Sequence, residues 1–487
     1  MENVAIVEFP YLRTPMNLQY LQDLYFQHPC LKSLTEEIVL PGSKLICLKN
    51  AQASSFSFLA TSVFKQLDVN HVFILDDKET AAYFHNDFET LSGALDVCLF
   101  PDSYKKTGTI GELNSSHVML RAEALMKFNG QEPHRKVLVT YPEAIVEKVV
   151  NTETFSKNTI YIKQSEKLNV EFLIEFLVSM SFIKVDFVYE PGQFAIRGGI
   201  IDIYSFGNEN PYRIELFGEE VDSIRLFDPA SQLSERKLLQ VNIIPNVTTQ
   251  FEDTEKIPLI DFMASNTLIW LKDWNVIQQR GIDQREALND FLEHAHPSKI
   301  MDDGDAHIKH TQLDDFESVQ NTEQALLHKT ILEWGFQANL AKDLMVFNTQ
   351  VQPSFNRQFQ LLIANLQELE KKGYALFIFA EQAKQLERLH AIFTDLKTET
   401  PFTQIVKNIH EGFIDHDHKV VCYTDHQIFQ RYHKYKVKQA YSKSKAITLR
   451  TLRDLQPGDY VTHIDHGVGV YSGLQKMEVN GLLQEAV

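Results

Sequence analysis

No Gly-Lys-Ser/Thr loop and no Asp-Glu-x-His box occurs anywhere in the 487 residues. A working ATP site needs glycine for close backbone approach, lysine for the β- and γ-phosphates and a hydroxyl for magnesium. An ATP-driven motor is therefore not expected within these residues. A basic excess is also missing: Lys and Arg number 47 against 65 Asp and Glu, a formal charge of −18. Phosphate contacts require clustered cations, so the charge argues against a broad DNA-binding face, leaves room for a small local basic patch, and suits protein partners better. There is no run of about 18 apolar residues, so no transmembrane helix is expected. The stretch from Met1 to Pro15 has no basic n-region and no apolar h-region, and does not read as a signal peptide. The only cysteines, Cys30, Cys47, Cys98 and Cys422, form no CxxC pair. They read as buried small hydrophobes of a reducing cytoplasm, not as zinc ligands or a disulfide framework.

What is present is a multidomain α/β chain. Residues 1–144 alternate short apolar strands (Lys44–Leu48, His71–Leu75, Val97–Phe100, Lys136–Thr140) with helix-like segments such as Ser57–Leu67. That alternation predicts βα units and a parallel sheet. Between the first strand and first helix runs Lys49 to Phe56, the place of a phosphate loop. Its key positions carry Ala53, Ser54 and Ser55. With lysine and glycine missing, this is a degenerate loop that should not bind ATP.

Residues 145–228 form a second module. The helix Asn169–Phe182 carries Val170, Leu173, Ile174 and Leu177 on one face, and an alternating strand, Ile183–Val188, follows. From Glu190 to Asp228 the chain reads as a meander of short strands. Gly198-Gly199 marks a bulge or close backbone approach, and Gly218-Glu219-Glu220 signals a hairpin. Residues 229–335 contain two more strands, Leu238–Ile244 and Thr267–Leu271, and a polar acidic stretch, 298–318. Residues 340–436 read as a small α/β domain, and 437–452 as a basic polar linker. The run Asp415-His416-Asp417-His418 invites a metal reading, but no acidic or histidine cluster with site spacing lies nearby. No metal is assigned. In 453–487, glycines separate strands, and Asn480-Gly481 is a type I′ turn signal opening a further strand at Leu482.

Two stretches carry a family resemblance. Phe194, Arg197, Gly198, Ile201, Asp202 and Ile203 resemble the Phe-x-x-Arg-Gly…Ile-Asp-Ile core of the UvrB homology module of bacterial nucleotide excision repair. UvrB has further arginines in this loop where this chain has Glu190, Pro191 and Ala195, so transcription-repair coupling factors are the nearer match. The stretch Gln456 to Leu474 resembles the RNA polymerase interaction domain of that family, a Tudor-like barrel shared with CarD-type regulators. Val470 departs from it, standing where the family usually has arginine.

The resemblance implies a RecA-like domain split into 1–144 and 229–335 around an inserted UvrA-binding module, and an incomplete polymerase-binding barrel at 453–487. It implies UvrA contacts at Arg197, with Lys184, Phe187, Phe194 and Arg213 nearby. It further implies contacts to the polymerase β subunit from Leu474, Gln475, Met477 and Val479. Gln475, Met477 and Val479 share one strand face by alternation. Met477 reads equally as barrel core. DNA, ATP and magnesium would belong to motor domains outside these residues, and no membrane role is implied. Arg197 also has a bland reading, as a solvated cation paired with Asp202 or Glu215. The competing function is a UvrB-like ATPase that loads on damaged DNA.

Overall fold

The computed structural model describes residues 17–93, 97–104, 113–130, 135–251, 255–294, 313–335, 343–398, 400–432, 460–463, 467–470, 475–479 and 482–486. Two compact units result. One contains residues up to Asn158 and Asn246–Lys438; the other contains Thr159–Pro245 and Gln439–Val487.

The first unit is built on a seven-stranded sheet, in spatial order Asp343–Val346, Leu45–Lys49, Thr330–Trp334, Leu268–Lys272, His71–Ile74, Val137–Thr140, Val97–Leu99. Every neighbouring pair is parallel. The strands are short and almost wholly apolar, as parallel strands covered on both faces must be. Strands from beyond residue 250 thus lie between and beside strands from before residue 140, so the sheet is completed across the intervening module. The same unit holds a five-stranded mixed sheet from Thr349–Val351 to Val420–Thr424. Helices Phe359–Lys371 and Ala383–Asp395 pack on it through Leu362, Leu366, Leu386 and Leu389.

Helix Ser55–Gln66 lies between the two sheets, and its residues Ser55 to Phe64 are all buried. Phe56 stacks on Trp334 at 4.0 Å on the first sheet, while Phe58 meets Phe413 at 5.7 Å and Phe379 at 6.4 Å on the second. The helix sends Phe56 to one sheet and Phe58 to the other, so both of its faces are covered. The helix Leu18–Phe26 joins this packing through Tyr25, whose ring lies 5.3 Å from Phe58 and whose hydroxyl donates to Asp415 at 2.6 Å. The Asp415 carboxylate also pairs with His418 at 3.0 Å. The Asp-His run is therefore an anchor for an N-terminal helix. Among the described residues no group of three or more His, Cys, Asp or Glu is placed to hold a metal ion. No described helix is long and apolar enough to cross a membrane.

In the second unit, a six-stranded sheet runs in spatial order from Ser234–Leu238 through Glu220–Phe227, Tyr212–Phe217, Ile200–Ile203 and Gln193–Arg197 to Ile183–Lys184. Helix Val170–Ser179, capped by the Asn169 side chain, buries Leu173 and Leu177 against one face. The glycine pair marks a close backbone approach, the second of the two alternatives, rather than a bulge: a Cβ on Gly199 would lie 3.0 Å from the Leu216 carbonyl oxygen. Gly198, at φ +62°, turns a hairpin between Gln193–Arg197 and Ile200–Ile203, a conformation that costs other residues about 1 kcal/mol. Gly218, at φ +65°, does the same in the next hairpin, as expected. The strand expected over 183–188 stops at Lys184. Two further antiparallel pairs lie in 453–487, Tyr460–His463 with Gly467–Val470 and Gln475–Val479 with Leu482–Ala486.

Candidate functional site

Strand alternation divides the six-stranded sheet cleanly. Phe194, Ile201, Ile203, Tyr212, Ile214 and Ile224 face the helix and form the core. Their neighbours face the other way. The cross-strand register places Ala195, Asp202, Arg213, Arg225 and Lys237 in one row across five strands. Like charges set directly opposite each other are destabilising, and two carboxylates offset that here. Arg213 is held bidentately by Asp202, at 2.8 and 2.9 Å, and Arg225 donates to Glu215 at 2.8 Å. The hydrogen bond to Asp202 raises the proton affinity of the Arg213 guanidinium.

Asp202 is fully buried and is shared: the Arg197 guanidinium donates to it as well, and to the Asp186 carbonyl. Arg197 nonetheless keeps 35% of its side chain exposed and lies 5.1 Å over the ring of Phe187. Lys184, Val185, Asp186, Phe187 and Arg197 line a cavity of about 410 Å³. Ile183 and Phe187 are exposed large apolar residues beside it. The result is an open, positively charged sheet face with an aromatic-backed arginine at one end.

Of the residues expected in the interface, Arg197, Arg213, Lys184 and Phe187 reach this face or the cavity at its edge, Arg197 and Arg213 by sharing Asp202, and Lys184, in register with Phe194, at the cavity alone. Phe194 does not. It is fully buried beneath the helix, because it alternates with Ala195 and sits on the core face. Arg225 and Lys237 were missed by sequence reasoning. Their signal was present in the hairpin register, once Gly218-Glu219 is taken as the turn. Leu474 lies outside the described residues, and Gln475, Met477 and Val479 are described by backbone only, within the strand pair opposite Leu482–Ala486.

The degenerate loop follows the first strand of the seven-stranded sheet. Ala53 sits at φ +52° and Asn50 at φ +62°, so the chain keeps a left-handed turn where glycine would be least strained. Beside it is a cavity of about 500 Å³. Its wall carries Asp76, Asp87, Asp273 and Glu411 against one lysine, Lys272, which already pairs with Asp76 at 3.0 Å.

The geometry defines a small helix-backed sheet with a row of cationic side chains on its other face, and comparison with known families gives that module a class. The UvrB interaction domain model matches residues 160–248, and the CarD-like/TRCF RID domain model matches 455–487. The chain is similar to proteins named transcription-repair-coupling factors. It is 25% identical to that of Bacillus subtilis strain 168 over 516 aligned residues, covering 89% of this chain and 43% of that protein. Identity is 21% to the factor of Borreliella burgdorferi, covering 85% of this chain and 39% of the relative. It is 22% to that of Staphylococcus haemolyticus, covering 77% and 38%. The chain thus spans about two fifths of the length of these relatives. A DEAD box protein from Methanococcus jannaschii aligns structurally over 80% of this chain and 70% of its own, at 8% identity and a TM-score of 0.25.

Proposed function

We propose that this chain is a non-catalytic recruiter in transcription-coupled nucleotide excision repair. It captures UvrA on the open face of the 159–245 sheet and holds the polymerase β subunit through 455–487, so that lesions on the transcribed strand are handed to repair in the cytoplasm. The observation that carries this reading is the row Asp202, Arg213, Arg225, Lys237 with Arg197 beside it, a local cationic face on a chain of net charge −18. Its partner surface should be acidic. Titration calorimetry of the chain with purified UvrA tests it; absence of saturable binding overturns it.

ATP and magnesium belong, on this reading, to motor domains outside these residues. Calorimetry with ATP and magnesium should give no saturable heat up to about 1 mM ligand, where binding free energy is only about −4 kcal/mol. A site at Ala53-Ser54-Ser55 would instead support the UvrB-like ATPase. For the polymerase contact, Met477→Arg should weaken binding to the polymerase at least ~10-fold with an unchanged melting temperature. Unchanged binding removes Met477 from that interface, and loss of folding places it in the core.

A further inference from the structure

The degenerate loop is not empty space at the edge of a sheet; it holds something. Ser54 precedes helix Ser55–Gln66, and in a phosphate loop such backbone N–H groups cradle an anion. Here the Ser54 N–H donates to the carbonyl oxygen of Glu411 at 3.3 Å. The Glu411 N–H donates back to Ser54 Oγ at 3.0 Å. Ser54 Oγ donates in turn to Asp87 Oδ2 at 2.6 Å, and the His410 N–H donates to Asp87 Oδ1 at 2.7 Å. Ser57 Oγ adds a third donor to the carboxylate at 3.3 Å. The His410 ring stacks on Tyr83, 3.6 Å between centroids and 11° apart. On the other side of the loop, the Gln52 N–H donates to Thr349 Oγ1 at 3.0 Å, and Thr349 Oγ1 donates to the Asn50 carbonyl at 2.5 Å. Thr349 opens the edge strand of the five-stranded sheet, and His410–Glu411 lies just before the next strand, Phe413–Asp415.

We propose that the former nucleotide site is an internal socket, in which the 410–411 loop of the second sheet takes the place of a phosphate group and Asp87 is the acceptor that seats it. The seated carbonyl of Glu411 is the surrogate anion. The two sheets are joined by polar contacts around the loop as well as by the aromatic packing of the helix between them.

A buried carboxylate as hub makes the joint sensitive to pH. Burial pushes the Asp87 carboxyl up to about 7, against the lowering effect of its bonds from Ser54, His410 and Ser57. When the loop lifts, water reaches the group and it returns toward its ordinary 3.8. The proton is therefore bound more tightly in the seated state. Seating is strongest below the ordinary value and weakens as pH rises through about 7. Between pH 6 and 8 that amounts to roughly tenfold in the seating equilibrium. The charged and titratable groups around Asp87 are Glu411 on the seated loop, His426 behind it, Tyr83 on the same helix, and Asp76, Lys272 and Asp273 at the strand ends. Glu411 is also raised by burial and acts in the same direction.

Hydrogen exchange of the whole chain, corrected for intrinsic amide rates, reads the joint at Ser54, His410 and Glu411. Protection at these amides should fall about tenfold from pH 6 to pH 8, while amides of Leu376–Phe379 in the same sheet stay constant. Asp87→Asn should flatten that slope, and Glu411→Gln should leave most of it. A flat wild-type profile overturns the proposal without any variant. So does a slope that persists in Asp87→Asn or vanishes in Glu411→Gln.

Discussion

Arg197→Glu is expected to abolish measurable capture of UvrA. Arg197 is the cation at the rim of the 410 Å³ cavity, half-exposed, with its guanidinium set by Asp202 and the Asp186 carbonyl and backed by Phe187. A side chain held in place before binding loses little entropy on contact, and an arginine beside an aromatic has the composition of an interface hot spot. Arg197→Ala should cost ~2 kcal/mol or more, about 30-fold in Kd. Charge reversal adds repulsion from an acidic partner and leaves a second carboxylate beside Asp202. Lys237→Ala, at the far end of the row, should cost less and act mainly through association rate and salt dependence. Equal affinity of wild type, Arg197→Ala and Arg197→Glu for UvrA would move the interface elsewhere.

Asp202→Ala should produce the largest loss of stability in the 159–245 module. Asp202 is fully buried and accepts from both Arg197 and Arg213. Its removal leaves two guanidinium groups side by side, one of them largely enclosed, with no shared counter-charge. Removing one member of a buried ion pair typically costs about 3–5 kcal/mol. For a unit of this size that corresponds to ~10 °C or more in melting temperature. Asp202→Asn keeps the shape and part of the hydrogen bonding, and should fall between the two. A melting temperature within 2 °C or so of wild type for Asp202→Ala would show that the arginines find other partners.

The same residues show how far the sequence could be read. The parallel sheet was legible because its strands are apolar runs of four or five residues bounded by turn signals, as in His71–Ile74 and Val137–Thr140. The helix backing the cationic sheet was legible from its 3.6-residue period and its Asn169 cap. Arg197 stood out because it lies in a motif. The pairing with Asp202 of its bland reading is present, and the side chain stays partly exposed beside it. Phe194 was harder, because an aromatic next to a site motif looks like an anchor until the register shows which face it takes. Arg225 and Lys237 needed the same register, which depends on two hairpins and an irregularity after Glu215. The socket around Ser54 was not legible at all. Its partner loop lies more than 300 residues away, and the hydrogen-bonding groups of that loop are backbone groups, which leave no mark in side-chain pattern.

Helix Ser55–Gln66, enclosed between two sheets, also sets a timetable for the ribosome. One of its faces can be covered by strands made within the next hundred residues, such as His71–Ile74. The other, carrying Phe58 against Tyr25, waits for Phe379 and Phe413. Tyr25 and its partner Asp415 are 390 residues apart. At roughly 5–20 residues per second, about 20–80 s pass between their syntheses. Through that interval the aromatic stripe formed by Tyr25 and Phe58 lacks its later partners Phe379 and Phe413. Ribosome-associated chaperones should hold it there, and a stop codon placed just before Thr349 would leave the stripe uncovered for the life of the protein.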